Sequence, residues 1–274
     1  MDEIAKYNIE RWRALAAADA LFTRPARNLD ADSSRRLIDP EGILGELKEK
    51  RVLCLASGGG SQSAAFALLG ALVTVFDISE EQLHRDREMA AHYGTRIEAV
   101  QGDMRDLSQF DENAFDLVFH AYSLNFVPDA RAVFREVARV LRAAGMYQFM
   151  CANPFYFGLG TKDWDGGGYA LKARYVDGAV VTNEDQIWVY GDGRGERGDA
   201  VPGSREYLHT FSTLTNGLIE QGFVIRHVSE RISLHADYNA EPGTWDHFVS
   251  VAPPWLSFWA TKRPDVFAGT RAKG

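Results

Sequence analysis

At 274 residues and 46% hydrophobic content the chain can hold one sizeable core or two small ones. Thirty Lys and Arg against 38 Asp and Glu give a formal charge of −8 without a basic cluster, which argues against a phosphate-backbone partner. No apolar run approaches the roughly 18 to 20 residues that span a bilayer, and Met1-Asp-Glu-Ile-Ala-Lys6 lacks the pattern of a secretion signal. The expected partner is therefore a small molecule, with no nucleic acid and no membrane, and the expected location is cytoplasmic.

Residues 1–50 read as an amphipathic helical arm: Ile4, Tyr7, Ile9, Trp12, Leu15, Leu21 and Phe22 recur at roughly helical spacing over 3–22, and Pro25 stops them. A second short helix is expected over 40–50. From 51 to 152, apolar runs at 52–55, 73–76, 97–100, 116–120 and 146–150 alternate with helix-length segments near 61–69, 80–93 and 130–141. This order predicts an α/β fold with a doubly wound, Rossmann-like parallel sheet covered on both faces. Residues 153–208 interrupt it with a stretch rich in Gly, Asp, Trp and Tyr, expected to be a substrate cover or a short antiparallel excursion with a solvated tip at 191–199. A helix at 211–221 and strands at 223–228 and 255–260 then complete the sheet within 209–262, as one domain.

Between the first strand and its helix stands Ala56-Ser-Gly-Gly-Gly-Ser-Gln62, and Asp77 ends the second strand. A glycine loop lets a ligand approach bare backbone N–H groups, and an acid at that strand end can accept hydrogen bonds from a ribose. The pattern predicts a nucleoside-containing cofactor, either a dinucleotide or S-adenosylmethionine. Ser63 stands where a dinucleotide loop has its third glycine, an imperfect fit.

Further along, Gln101-Gly-Asp-Met104 follows the third strand, and Phe115-Asp-Leu-Val-Phe-His-Ala-Tyr-Ser-Leu-Asn-Phe-Val-Pro-Asp129 forms the fourth and its polar end. Val133-Phe-Arg-Glu-Val-Ala-Arg-Val-Leu-Arg-Ala-Ala-Gly-Met146 then runs a helix into a fifth strand. Taken in order, these resemble the class I S-adenosylmethionine-dependent methyltransferases, in their small-molecule, type 11-like branch, strongly over 50–152 and more loosely over 205–262. The resemblance implies a seven-stranded, mostly parallel sheet with an antiparallel last strand. It also implies S-adenosylmethionine as cofactor, S-adenosylhomocysteine as product, and in-line methyl transfer to an N, O, S or C nucleophile of a small molecule.

On that resemblance the cofactor contacts fall on Ala56, Ser57, Gly58, Gly59, Gly60, Ser61 and Gln62 of the loop and on Asp77 at the ribose. Asp103 would accept from the adenine amino group between Ile78 and Met104, with Gln82, Gly102, His120, Ala121 and Asn125 completing the set. Cys54 stands where the family carries an acid, and Ala56 where it carries a glycine, so the methionine end is expected to be held differently. Backbone carbonyls or the arm, with Arg24 as a partner for the carboxylate, are the candidates.

The catalytic candidates are His120, Tyr122 and His209. A histidine's ordinary pKa of about 6.5 suits deprotonating a nucleophile, while the alternative for each is a structural hydrogen bond. Tyr7, Trp12, Tyr122, Phe155, Trp164 and His247 are the substrate candidates, an aromatic set suited to an apolar acceptor or a cationic amine. Neither Cys-x-x-Cys nor His-x-x-x-His spacing occurs, so no metal is expected, and Cys54 and Cys151 read as core residues. A NAD(P)-dependent oxidoreductase, or a catalytically inactive adenosyl-cofactor-binding protein, are the competing readings, and a homo-oligomer is compatible with the sequence.

Overall fold

The computed structural model describes residues 2–183, 201–230 and 236–264. Strand β1 (Arg51–Leu55) lies between β2 (Leu72–Asp77) and β4 (Phe115–His120), parallel to both. Strands β3 (Ile97–Gln101) and β5 (Leu141–Ala152) extend the sheet on either side. Beyond β5, β9 (Trp255–Lys262) runs antiparallel to both β5 and β8 (Phe223–Ser229), giving seven strands in the order β3-β2-β1-β4-β5-β9-β8. The short pair β6 (Val180–Asn183) and β7 (Ser204–Tyr207) forms a separate antiparallel ribbon within the insertion, whose expected tip at 191–199 lies outside the described residues.

The strands are apolar on both faces because both are covered. On one face Leu53, Leu55, Val118 and Phe149 pack against Val133, Phe134 and Val137 of α5 (Ala130–Val140) and Leu214 and Leu218 of α6 (Phe211–Glu220). On the other, Val52, Cys54, Val75 and Phe119 meet Ala65 and Phe66 of α3 (Ser61–Leu68) and Leu83 of α4 (Glu80–Tyr93). Each buried Val, Leu or Phe among them contributes about 1.5–3 kcal/mol by leaving water. Local signals start and stop the helices: the Ser79 hydroxyl accepts from Gln82 N and Gly94 ends α4 in the left-handed region, while Asp129 caps α5.

Three expectations change. The arm helix α1 (Glu3–Ala17) ends before 22, because Asp19 turns to φ 49 and a 3-10 turn follows at Leu21–Thr23. The second arm helix is α2 (Ala31–Ile38), set by reciprocal capping of Asp30 and Ser33, whereas 40–50 is turns through Gly42 and Gly45 at φ 69 and 66. A helix α7 (Trp245–Val251), capped by Thr244, precedes β9 and adds to the one helix expected within 209–262.

Candidate functional site

The carboxyl ends of β1, β2, β3 and β4 converge on one edge, where an open α/β sheet takes its ligands. The glycine loop turns its amides inward rather than leaving them bare. Gly58 N donates to Asp77 Oδ2 at 2.9 Å; Gly59 N and Gly60 N donate to the two carboxylate oxygens of Asp86, at 2.9 and 3.1 Å. The Ser63 hydroxyl also donates to Asp86. This corrects the expectation of amides open to a ligand: three successive N–H groups already serve two buried carboxylates.

Burial is the main force on both acids. It pushes Asp86 up to about 7, with neighbouring Asp77 adding to the rise against the hydrogen bonds from Ser63, Gly59 and Gly60. Asp77 is raised as well, although Gly58 N and Ser79 N both donate to it. The loop bends hard between these anchors: Ala56, Gly59 and Gly60 sit at φ 44, 112 and 88. Ala56 therefore holds a conformation that favours glycine, at the position where the sequence resemblance expects one.

Asp86 is absent from the sequence-predicted set. Its signal was present, because Gln82, Asp86 and Met89 share the buried stripe of α4 at spacings of four and three, and an acid in an apolar stripe asks for a partner. Gln82 lies under the same loop, with Oε1 buried and without a hydrogen-bond partner among the described residues. A Cβ on Gly59 would meet that oxygen at 3.6 Å, an ordinary contact, so it is the backbone at φ 112 that calls for glycine here. Gln62 lies half-buried in the first turn of α3, and the Ser61 hydroxyl accepts from Ala26 N of the arm at 2.9 Å. Ser57 is buried against the thiol of Cys54.

At the end of β3, a Cβ on Gly102 would lie 2.1 Å from the Phe76 ring, so glycine lets this turn cross the ring. Asp103 accepts from Arg105 Nε at 3.0 Å and from Nη2 at 2.5 Å, and the same guanidinium reaches Asp2 of the arm at 2.7 Å. Ile78 and Met104 are half-buried, and the Ile78 carbonyl accepts from Gln101 Nε2.

His120 ends β4 fully buried, its Nδ1 2.8 Å from the Tyr147 hydroxyl and its Nε2 without a partner among the described residues. Burial pushes its pKa down to about 3, so the ring is neutral near pH 7 and a weak base. Ala121 is half-buried beside it. Asn125 is committed to the scaffold: Oδ1 accepts from Ala152 N at 2.8 Å and Nδ2 donates to the Tyr207 carbonyl at 2.9 Å. His209 places Nε2 3.2 Å from the Leu124 carbonyl, and burial lowers its pKa.

The arm and the insertion meet over this edge. Tyr122 donates to Glu206 of β7 at 2.6 Å, Tyr7 donates to the Gly203 carbonyl at 2.8 Å, and the Arg205 guanidinium sits 3.8 Å from the Tyr7 ring centre. Buried Arg11 lies over both Trp12 and Phe126, and Trp12 meets Phe126 edge-on. Tyr7, Trp12 and Tyr122 thus come together. The other aromatic candidates form separate groups: exposed Phe155 stacks on Tyr175, whereas Trp164 and His247 pack on Tyr169. Arg24 bonds the Asp19 carbonyl and carboxylate. Among the described residues no group of three or more His, Cys, Asp or Glu side chains could hold a metal, and no helix is long and apolar enough to cross a membrane.

Residues 53–149, the strands and loops just described, match the family described as "Methyltransferase domain". This core is a class I S-adenosylmethionine-dependent methyltransferase domain. Over 118 residues the chain is 42% identical to an uncharacterised methyltransferase, YbaJ, of Bacillus subtilis (strain 168), covering 43% of this chain and 46% of that one. It is 34% identical over 124 residues to a sarcosine/dimethylglycine N-methyltransferase of Halorhodospira halochloris, covering 43% and 44%. The chain thus spans a little under half the length of these curated relatives. A crystal structure of an S-adenosylmethionine-dependent methyltransferase from Mesorhizobium loti is similar with a TM-score of 0.63 and 25% identity, covering 85% of this chain and all of that one. The methyltransferase likeness is carried by the sheet and its loops; the arm and the insertion lie outside the matched segment.

Proposed function

We propose that this protein transfers the methyl group of S-adenosylmethionine to a small-molecule acceptor. The observation that carries the reading is the fate of the loop amides. A dinucleotide site offers such N–H groups to a pyrophosphate. Here Gly58, Gly59 and Gly60 give theirs to Asp77 and Asp86, and two buried acids beneath the loop repel a dianion while suiting a cation. That favours a sulfonium cofactor over NAD(P).

The residues present fit it. The buried Gln82 Oε1 is unpartnered among the described residues, and Asp77 keeps lone pairs for ribose hydroxyls. On the family resemblance Asp103, Ile78, Gly102 and Met104 would hold the adenine, and loop residues Ala56–Gln62 the amino-acid end, with Ala121 and His120 lining the β4 side and Asn125 bracing it from the scaffold. When bound, S-adenosylmethionine supplies an electrophilic methyl group.

The chain's own contribution is alignment and exclusion of water by the arm, which meets the insertion at Tyr7 and Gly203, and by the β6–β7 ribbon, which Tyr122 ties to the end of β4. Proximity is favoured over base catalysis, because His120 is a weak base and His209 and His247 each have a hydrogen-bond partner, the Leu124 carbonyl and the Tyr169 hydroxyl. We read the chain as a single domain with residues 1–50 and 153–208 as covers, and Tyr7, Trp12 and Tyr122 as the acceptor-side group.

Thermal unfolding with S-adenosylhomocysteine or NAD tests this. At about 100 times its Kd a ligand stabilises by about 2.7 kcal/mol, so the first should raise Tm by several degrees and the second should not. Stabilisation by NAD alone would overturn the reading.

A further inference from the structure

Asp86 has no place in the pattern by which the cofactor loop was recognised, yet three donors converge on it: Gly59 N, Gly60 N and the Ser63 hydroxyl. It is fully buried, as are the loop-facing Cys54 of β1 and Ser63 of α3. The loop it holds is bent through three left-handed residues, Ala56, Gly59 and Gly60, a shape that does not persist without anchors. No neutral residue of the same size can accept from two adjacent amides and a hydroxyl at once as a carboxylate does. Cys54 packs in one buried cluster with Leu83 of α4, the helix that carries Asp86, and both Cys54 and Asp86 are fully buried, so the end of β1 and this acid share one low-dielectric layer.

We propose that Asp86 is the positioning residue that fixes the cofactor loop, supplying from α4 the carboxylate that β1 lacks at Cys54. The assignment rests on the reading of the site as an S-adenosylmethionine site. It makes the pair 54 and 86 interdependent: one acid is required beneath the loop, and its origin, strand or helix, is exchangeable. A carboxylate at both positions places two like charges in one buried space and is disfavoured.

The test compares Asp86→Ala, Cys54→Asp and the double variant Cys54→Asp/Asp86→Ala with the unaltered chain. Leu218→Ala, a core change on the far face of the sheet, controls for general destabilisation. S-adenosylhomocysteine affinity is measured by calorimetry, and exchange of the Gly59 and Gly60 amides by hydrogen–deuterium exchange. Asp86→Ala should weaken binding at least tenfold and speed exchange of both amides. The double variant should recover binding to within about threefold and restore protection, while Leu218→Ala should lower Tm without changing either readout.

The proposal is overturned if Asp86→Ala keeps its affinity and loop protection, or if the folded double variant recovers neither. If the unaltered chain binds no S-adenosylhomocysteine, the functional reading fails, and the exchange data alone then decide whether Asp86 anchors the loop. A variant that does not fold is judged by Asp86→Asn, which keeps one acceptor oxygen and should lose protection at one amide and retain it at the other; equal protection of both would count against the assignment.

Discussion

Asp86 and His120 titrate in opposite senses, and the structure fixes how they should offset each other. Burial raises Asp86 from 3.8 to about 7. In the folded chain it stays protonated where the unfolded chain has lost the proton, so its stabilising contribution is full below about pH 3.8 and is lost as pH rises through about 7. At about 1.4 kcal/mol per pH unit the change is about 4 kcal/mol. Burial lowers His120 from 6.5 to about 3. A base kept neutral by the fold contributes fully above about pH 6.5, and that contribution is lost as pH falls toward about 3, again at about 1.4 kcal/mol per unit. Between about pH 4 and 6.5 the two slopes cancel.

Asp86→Asn removes one of them. Relative to the unaltered chain, the variant should then lose stability on acidification from about pH 6.5 to 4, by about 3 kcal/mol in total. His120→Gln should show the mirror image, with stability falling as pH rises over the same window. Urea unfolding at half-unit steps of pH and constant ionic strength gives the two difference profiles. Profiles of both variants that run parallel to the unaltered chain would refute the burial of these groups as ionisable sites.

Three further outcomes follow from single contacts. Ala56→Gly relieves a left-handed alanine at φ 44 and should stabilise by about 0.5–1 kcal/mol, raising Tm by roughly 1–4 °C; a lower Tm would show that Ala56 is not strained. Gly102→Ala drives a methyl group to within 2.1 Å of the Phe76 ring and should cost about 1–3 kcal/mol in urea unfolding, an unchanged midpoint being the contrary result. Tyr122→Phe removes the donor to Glu206 at 2.6 Å and should cost about 1.5–3 kcal/mol while leaving S-adenosylhomocysteine affinity within about twofold; loss of that affinity would move Tyr122 into the cofactor site.

The sheet was legible because its rule is simple: strands buried on both faces are mostly apolar, as at 52–55, 73–76 and 117–119, and helix-length segments separate them. Arm and loops were less so. The helix expected at 40–50 lies at Ala31–Ile38, since capping by Asp30 and Ser33 is a two-residue signal that a search for apolar periodicity passes over. The glycine loop was legible as a loop, but the direction of its N–H groups was not. That direction depends on Asp86, 26 or 27 residues away in sequence, and long-range partners of this kind leave no local pattern. Asn125 shows the same limit: a polar residue at a strand end reads as a ligand contact, whereas both halves of its amide are spent joining β5 to β7.

Holding the loop takes both acceptor oxygens of Asp86, and burial makes that acid costly when ionised. What only a carboxylate adds is negative potential next to a site proposed to take a sulfonium, and buried acids shifted by several pH units are characteristic of functional positions. The groups facing Asp86 are Ser63, the Gly59 and Gly60 amides, Asp77 and Cys54, of which only Asp77 adds a like charge. A bound cation then favours ionised Asp86 and lowers its pKa, so binding near pH 7 releases protons. S-adenosylmethionine carries that cation and S-adenosylhomocysteine, a neutral thioether, does not. Calorimetry in two buffers of different ionisation enthalpy should therefore find about half a proton released for the first ligand and markedly less for the second, with the difference abolished in Asp86→Asn. Equal proton release for both ligands would leave Asp86 as a purely mechanical anchor.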